Sequence, residues 1–344
     1  MSFLSPTSPF PSLRAFLALL LIGGAMPLTA AELRFGAEVP HEVETIYERG
    51  LEWLAARQSE EGGWPGGNDG PGVDGICVMA FLASGQDPNF GRYARNIRRG
   101  VRAILKTQQD SGYFPGSMYH HGFAMLALSE AYGAVDESLL WEGQKPVRSI
   151  SQALDLAIGL AASSQKNNRW GGWRYSPDAK DADTSVTGAM PMGLLAARNA
   201  GLKVPDDTLE AALDYMRRST GKDGSVAYSG GFGGMGESMN RSAIATLVAA
   251  VSKKTDTDEY KATLEHIRSR LEHQEGSYKE YFRYYMAQAL FQGDVDAWGK
   301  WNAATIRVLA EAQGQDGSYG DAYQTGMSLL ALALNYRFLP IYER

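Results

Sequence analysis

The chain has 344 residues, with 33 Lys and Arg against 39 Asp and Glu, a formal net charge of −6 and a single cysteine. Mild acidity spread along the chain without blocks argues against nucleic acid or an anionic membrane surface as a partner. One cysteine, Cys77, excludes an intrachain disulfide, so stability must come from a core, which a chain of this length can bury.

Residues 1–31 carry one charge, Arg14, followed by an apolar run from Ala15 to Ile22 and small residues ending at Ala30 and Ala31. This layout predicts a secretory signal and an exported chain, periplasmic or secreted, whose mature domain covers residues 32–344. The apolar core is too short for a stable anchor, and no later segment approaches the length of a transmembrane helix. The first mature helix places Val43, Ile46, Tyr47, Gly50 and Leu54 on one face and Glu42, Glu44, Glu48, Glu52 and Arg57 elsewhere, the pattern of an amphipathic surface helix. Similar mixed segments are expected near Arg92 to Gln109, Ser149 to Gln165, Pro205 to Ser219, Asp258 to His273 and Ala297 to Gln313. Between them lie uncharged stretches, Gly75 to Ser84, Gly122 to Ser129, Ser185 to Ala197, Ser242 to Val251, Tyr284 to Gln292 apart from the surrounding polar residues, and Thr325 to Tyr336. Helices apolar all round must be covered by protein or line a largely apolar cavity.

The segments are joined by a recurring turn, seen as Glu61-Gly62-Gly63-Trp64, Asp110-Ser111-Gly112-Tyr113, Gly171-Gly172-Trp173, Asp223-Gly224-Ser225, Glu275-Gly276-Ser277 and Asp316-Gly317-Ser318-Tyr319. Successive turns are 41 to 60 residues apart, room for two helices and their loops, so the chain reads as one repeat fold of six helical hairpins. Six apolar helices alternating with six amphipathic ones predict an all-α fold, an inner ring inside an outer ring. Pro191 is expected to kink or restart the third inner helix.

The unit of helix, Gln, acidic-Gly-Ser or Gly-aromatic turn and apolar helix resembles the repeat of the squalene cyclase and protein prenyltransferase superfamily. The stretch Trp170 to Gly201 and the ending LALNYRFLPIYER resemble a group of exported bacterial proteins with prenyltransferase and squalene oxidase repeats. The resemblance implies a single α/α toroid with its chemistry in a central cavity, and an isoprenoid-type apolar ligand. It does not fix the reaction. Squalene cyclases use two toroids and protein prenyltransferases a second subunit, so neither is matched whole.

If all inner helices run the same way, their N-termini meet at one mouth, bringing Asp74, His120, His121, Asp181, Asp183, Glu237, Asn240, Arg241, Glu280, Tyr281, Asp321, Tyr323 and Gln324 to a region that attracts anions. Asp, Ser and Thr there are also ordinary N-caps. Two constellations invite chemistry. Asp74 and Cys77, with His120 in a Tyr-His context, resemble the Asp, Cys and His that hold catalytic zinc in protein prenyltransferases, although Asp-x-x-Cys is one residue longer than that pattern and turns Cys77 by about 100°. A buried thiol serving as a small hydrophobe is the other reading of Cys77. Asp181-Ala182-Asp183-Thr184 resembles the proton-donating motif of squalene-hopene cyclases with one Asp missing, and paired carboxyls can raise one pKa. Capping of the following helix is the better of the two readings of Asp183.

Of the histidine pair, His121, which precedes Gly122, is expected to face the cavity and to handle protons with Asp183, with Asp181 and Tyr323 beside them. Phe, Tyr, Trp and Met side chains on the inner helices would shape the pocket and stabilise a carbocation by cation–π attraction, with core packing as the other reading of the aromatics. Ser229 to Gly236 lacks the ending of a phosphate loop and reads as a lid or plain loop. Asp206-Asp207 reads as a cap. The contrasting expectation is a non-catalytic scaffold that uses the rigid ring to bind another protein.

Overall fold

The computed structural model describes residues 39–67, 69–229 and 238–342, and the chain from Val39 onward is one unit. The expected signal segment, Glu237 and most of the glycine-rich loop lie outside the described residues. Among those described there are thirteen α-helices, a few short 3-10 turns and two isolated β-bridges. The amphipathic segments form α1 (His41–Arg57), α3 (Ala94–Thr107), α6 (Ile150–Gln165), α8 (Asp206–Ser219), α10 (Asp258–Arg268) and α12 (Val295–Ala312). The apolar segments form α2 (Pro71–Ala83), α4 (Met118–Ala131), α7 (Thr184–Asn199), α9 (Met239–Val251), α11 (Lys279–Gly293) and α13 (Ala322–Leu332), and a single turn, α5 (Glu137–Leu140), follows α4.

The apolar helices make the inner wall. α2 packs on α4, α4 on α7, α7 on α9, α9 on α11, α11 on α13, and α13 returns to α2, so the ring closes. The chain is an α/α toroid. Every residue of α2 is buried, whereas α1 buries Val43, Ile46, Tyr47, Gly50, Leu51 and Leu54 alone. Pro191 does not break α7, which runs through it as one helix.

The recurring turn is the joint between neighbouring outer helices. Gln58, just past α1, donates from Nε2 to the carbonyl of Gly62 in its own turn (2.7 Å) and to that of Asn96 on α3 (2.9 Å). Gln108 does the same to Gly112 and to Ala153 on α6, Gln165 to Gly171 and to Thr208 on α8, and Gln313 to Gly317 and to Ile46 on α1. The last of these ties the end of the ring to its beginning. The turn glycines have positive φ, and a Cβ on Gly112 would lie 2.3 Å from the Leu156 carbonyl oxygen on α6. Only glycine supplies both the left-handed backbone and the close approach.

In the fourth turn, which has no Gln, the link is made from the other side, by His266 on α10 to the Asp223 carbonyl (2.8 Å). The fifth, Glu275-Gly276-Ser277, departs from the expected repeat. Gly276 approaches no neighbour and does not have positive φ. The C-terminal segment runs past α13 with Leu339 and Ile341 buried, the Ile341 N–H pointing at the Glu130 carboxylate of α4 (3.4 Å), and burial pushes that carboxyl up to about 8.

Gly112→Ala should lower the free energy of unfolding by about 3 kcal/mol, since overpacking adds to left-handed strain. Gly133 also has positive φ, but nothing lies within 4 Å of its Cβ position, so Gly133→Ala should cost about 1 kcal/mol. Urea unfolding of the two variants checks the difference, and equal costs would mean that the contact with α6 is not tight.

Candidate functional site

A cavity of about 710 Å³ opens where the inner helices begin, and each of the inner helices α2, α4, α7, α9, α11 and α13 contributes lining residues from its first turns. A cleft of about 250 Å³ lies between α8, α9 and α10, and one of about 300 Å³ between α10 and α12 and their loops. The mouth cavity is therefore the volume that can enclose a drug-sized ligand. Among the described residues its walls carry six tyrosines, Tyr119, Tyr175, Tyr228, Tyr278, Tyr281 and Tyr323, and three aliphatic side chains, Val73, Ile76 and Val186.

The tyrosines are held by one another. The Tyr119 and Tyr281 rings lie 5.5 Å apart and Tyr281 and Tyr285 4.6 Å apart, while the Tyr281 hydroxyl donates to the Ser185 carbonyl on α7 (3.2 Å). Tyr175 and Tyr228 meet through their hydroxyls (3.4 Å). Burial holds Tyr119, Tyr281, Tyr285 and Tyr323 well above the usual phenol range, so these groups act as neutral hydrogen-bonding hydroxyls on aromatic faces. The expected Phe, Trp and Met contribution is packed elsewhere. Phe123, Met125 and Met286 are core residues and none lines the cavity.

Of the sequence candidates, Tyr323, His120, Asp321, Tyr281, Glu280, Gln324, Asn240 and Arg241 do line the cavity. His121 does not, contrary to its expected orientation. It is fully buried, its Nδ1 accepts from the Phe114 N–H (3.2 Å), and the remaining proton on Nε2 is donated to the Ala157 carbonyl of α6 (3.1 Å). Burial lowers its pKa to about 4 and keeps it neutral.

The same task recurs around the ring. The backbone N–H of the turn aromatic is accepted by Asp74 from Trp64 (2.9 Å), by Thr187 from Trp173 (2.9 Å) and by Thr325 from Tyr319 (3.1 Å), while Ser242 donates to the Gly224 carbonyl (3.0 Å). Each of these residues is followed in sequence by Gly or Ala, a signal that places His121 and Asp74 among turn-fixing residues.

Asp183 has no solvent exposure. One carboxylate oxygen caps α7 by accepting from the Val186 N–H (2.9 Å), and the other lies 4.0 Å from the Arg174 Nε without a hydrogen bond. Burial raises this carboxyl to about 6 against the opposing pull of Val186 and Arg174. Asp181 is exposed and pairs with Arg174 (2.6 Å). No hydrogen bond joins Asp183 to His121 among the described residues, so the expected proton-handling pair is not assembled.

Asp74, Cys77 and His120 are not gathered as metal ligands either. No group of three His, Cys, Asp or Glu able to hold a metal exists among the described residues. Asp74 is committed to Trp64 and raised to about 6 by burial, His120 Nδ1 accepts from the Gly72 N–H (3.2 Å), and the buried Cys77 thiol, pushed up by burial, points at the Ala322 carbonyl (3.7 Å). The extra residue between Asp74 and Cys77 sends the thiol toward α13. No described helix is long and apolar enough to cross a membrane.

No protein-family model matches the chain, and no characterised relative does. Solved structures do. An inactive variant of an α-1,6-mannanase from Salegentibacter sp. HEL1_6, in complex with α-1,6-mannotetrose, is similar at TM-score 0.64 and 9% identity over 86% of this chain and 99% of its own. A D-mannose isomerase is similar at TM-score 0.59 and 11% identity over 87% and 99%. A variant of the type II terpene cyclase MstE from Scytonema, in complex with its product merosterolic acid A, is similar at TM-score 0.56 and 15% identity over 87% and 98%. At such identities the likeness establishes the α/α toroid and nothing finer.

A histidine with a folded-state pKa of about 4 against an ordinary 6.5 binds its proton more readily when unfolded. Its contribution is present above pH 6.5 and is lost as pH falls toward 4, up to about 3 kcal/mol. Asp74 and Asp183, raised from 3.8 to about 6, act with the opposite sign over pH 3.8–6. The difference between wild type and His121→Gln isolates the histidine. Urea unfolding from pH 7.5 to 4.5 should show the stability gap between them narrowing as pH falls, and a gap independent of pH would contradict a neutral buried imidazole.

Proposed function

We propose that the protein is exported and uses the mouth of its toroid to bind an isoprenoid-type ligand whose hydrocarbon body lies on the tyrosine faces. The supporting observation is the cavity of about 710 Å³ at the meeting of the inner-helix N-termini, walled by Tyr119, Tyr281 and Tyr323 together with Val73, Ile76 and Val186. Aromatic rings give a prenyl chain a large apolar contact surface, and their hydroxyls remain available to a polar end. The terpene cyclase among the structural neighbours, which holds its product, supports this reading of the ligand class.

The reading is one of binding. Asp183, the candidate acid, caps α7 with one oxygen and is fully buried outside the cavity lining, and His121 is spent on the second turn. Native mass spectrometry of the mature protein with added prenyl compounds should show a one-to-one complex. Tyr281→Ala, which removes a ring and the link to Ser185, should weaken it at least tenfold. Asp183→Asn should leave binding within about twofold and cost about 1 kcal/mol of stability as a weakened cap. Absence of any small-molecule complex would favour the contrasting scaffold reading, in which the toroid binds another protein.

A further inference from the structure

The mouth has a counterpart at the far end of the ring, where the inner helices finish and the chain after α13 lies across them. The 3-10 turn Ala333–Asn335 is pinned by Asn302 on α12, which donates to the Asn335 side chain (2.9 Å). Arg337, left-handed at φ 59°, returns its N–H to the Ala333 carbonyl and turns the chain, as a residue closing a helix does. From there the segment meets four inner helices in turn. The Arg337 guanidinium lies 5.3 Å over the Phe291 ring of α11, and Phe338 covers Gly85 just past α2, where a Cβ would run into its ring. The Ile341 N–H faces Glu130 in the last turn of α4, and Pro340–Tyr342 packs on α7.

Little besides burial holds this segment. Leu339 and Ile341 are 2% and 3% exposed, and past Arg337 the described residues form one hydrogen bond, from the Ile341 N–H to Glu130 (3.4 Å). A stretch with so few bonds opens before the helices do. Its one polar anchor is a carboxyl in an adverse place. Glu130 is 5% exposed, no cation pairs with it among the described residues, and it sits where the inner helices present their carbonyl ends. Desolvation and the helix dipoles both oppose a negative charge there.

The surrounding elements do not relieve it. α11 presents the Tyr284 phenol, Arg337 lies over Phe291, and Arg198 of α7 pairs with Asp206. On α3, Arg98 pairs with Glu142 and Arg102 donates to the Leu140 carbonyl, while Asp155 of α6 is exposed. Residues 78–83 of α2 include no titratable side chain.

We propose that residues 338–342 are a plug that closes the far end of the toroid while Glu130 holds its proton, and that loss of this proton releases the plug without opening the ring. With the plug docked, the bore is entered from the mouth. Once it is released, the apolar seat of Leu339 and Ile341 beside α4 and α7 comes free. The device is independent of which ligand the mouth takes. Burial raises Glu130 from 4.5 to about 8 in the docked state, so docking is strongest below pH 4.5 and weakens as pH rises through about 8.

Hydrogen exchange of the mature protein between pH 6.5 and 8, each rate divided by the intrinsic rate at that pH, tests this above the range in which His121, Asp74 and Asp183 titrate. Protection of the amides in residues 338–342 should fall about tenfold over the interval while α4 and α13 keep theirs. Glu130→Gln, uncharged and still able to accept from the Ile341 N–H, should hold the segment's protection constant. Wild-type protection that does not change with pH, or that falls equally in the variant, would overturn the switch. Loss of protection in α13 along with the segment would overturn the plug by making it part of the ring. The wild-type series decides both points even if the variant does not fold.

Discussion

One side-chain amide, donating its two protons to two carbonyls, sets the geometry on which the toroid depends. A glutamine at the end of an outer helix cannot satisfy both the turn behind it and the next outer helix unless the two stand at a fixed distance. Gln58, Gln108, Gln165 and Gln313 impose that distance between successive outer helices, and the positive-φ glycine of each turn lets the neighbouring helix come against the backbone. Each donor is buried or partly buried, so leaving a carbonyl unpaired would cost more than the bond itself contributes. Closure follows because the last glutamine reaches the first helix.

This rigid outer ring frees the inner helices to be apolar throughout, and their parallel run brings their first turns to one place. The mouth is accordingly the region where backbone donors, caps and side chains of different repeats compete. Most polar groups there are absorbed by the fold itself: Asp74, His121, Thr187 and Thr325 hold turns, and Asp183 and Asp321 cap helices. What remains for a ligand is the ring of tyrosines.

The helices and their two-ring order were legible in the sequence because hydrophobic periodicity and the turn residues both follow directly from burial and backbone conformation. The convergence of inner-helix N-termini was legible for the same reason. The site was less so. His121, Asp183 and Asp74 looked like chemistry because a lone histidine or paired acids are conspicuous by residue type, whereas their partners are backbone N–H and C=O groups that no sequence displays. Comparison of equivalent positions, Asp74-Gly75, His121-Gly122, Thr187-Gly188 and Thr325-Gly326, carries the signal that these are one structural position filled by three residue types. The tyrosines that wall the cavity come from loops and helix starts as distant as Tyr119 and Tyr323, and only the closed ring brings them together.

Hydrogen–deuterium exchange of the mature protein, alone and with saturating farnesol, addresses the central claim that the mouth is the ligand site. The account predicts slowed exchange confined to the first turns of α4, α9, α11 and α13, with the outer helices unchanged. Slowing centred on α8 and α10 at the outer cleft, or on the C-terminal segment against Glu130, would contradict it.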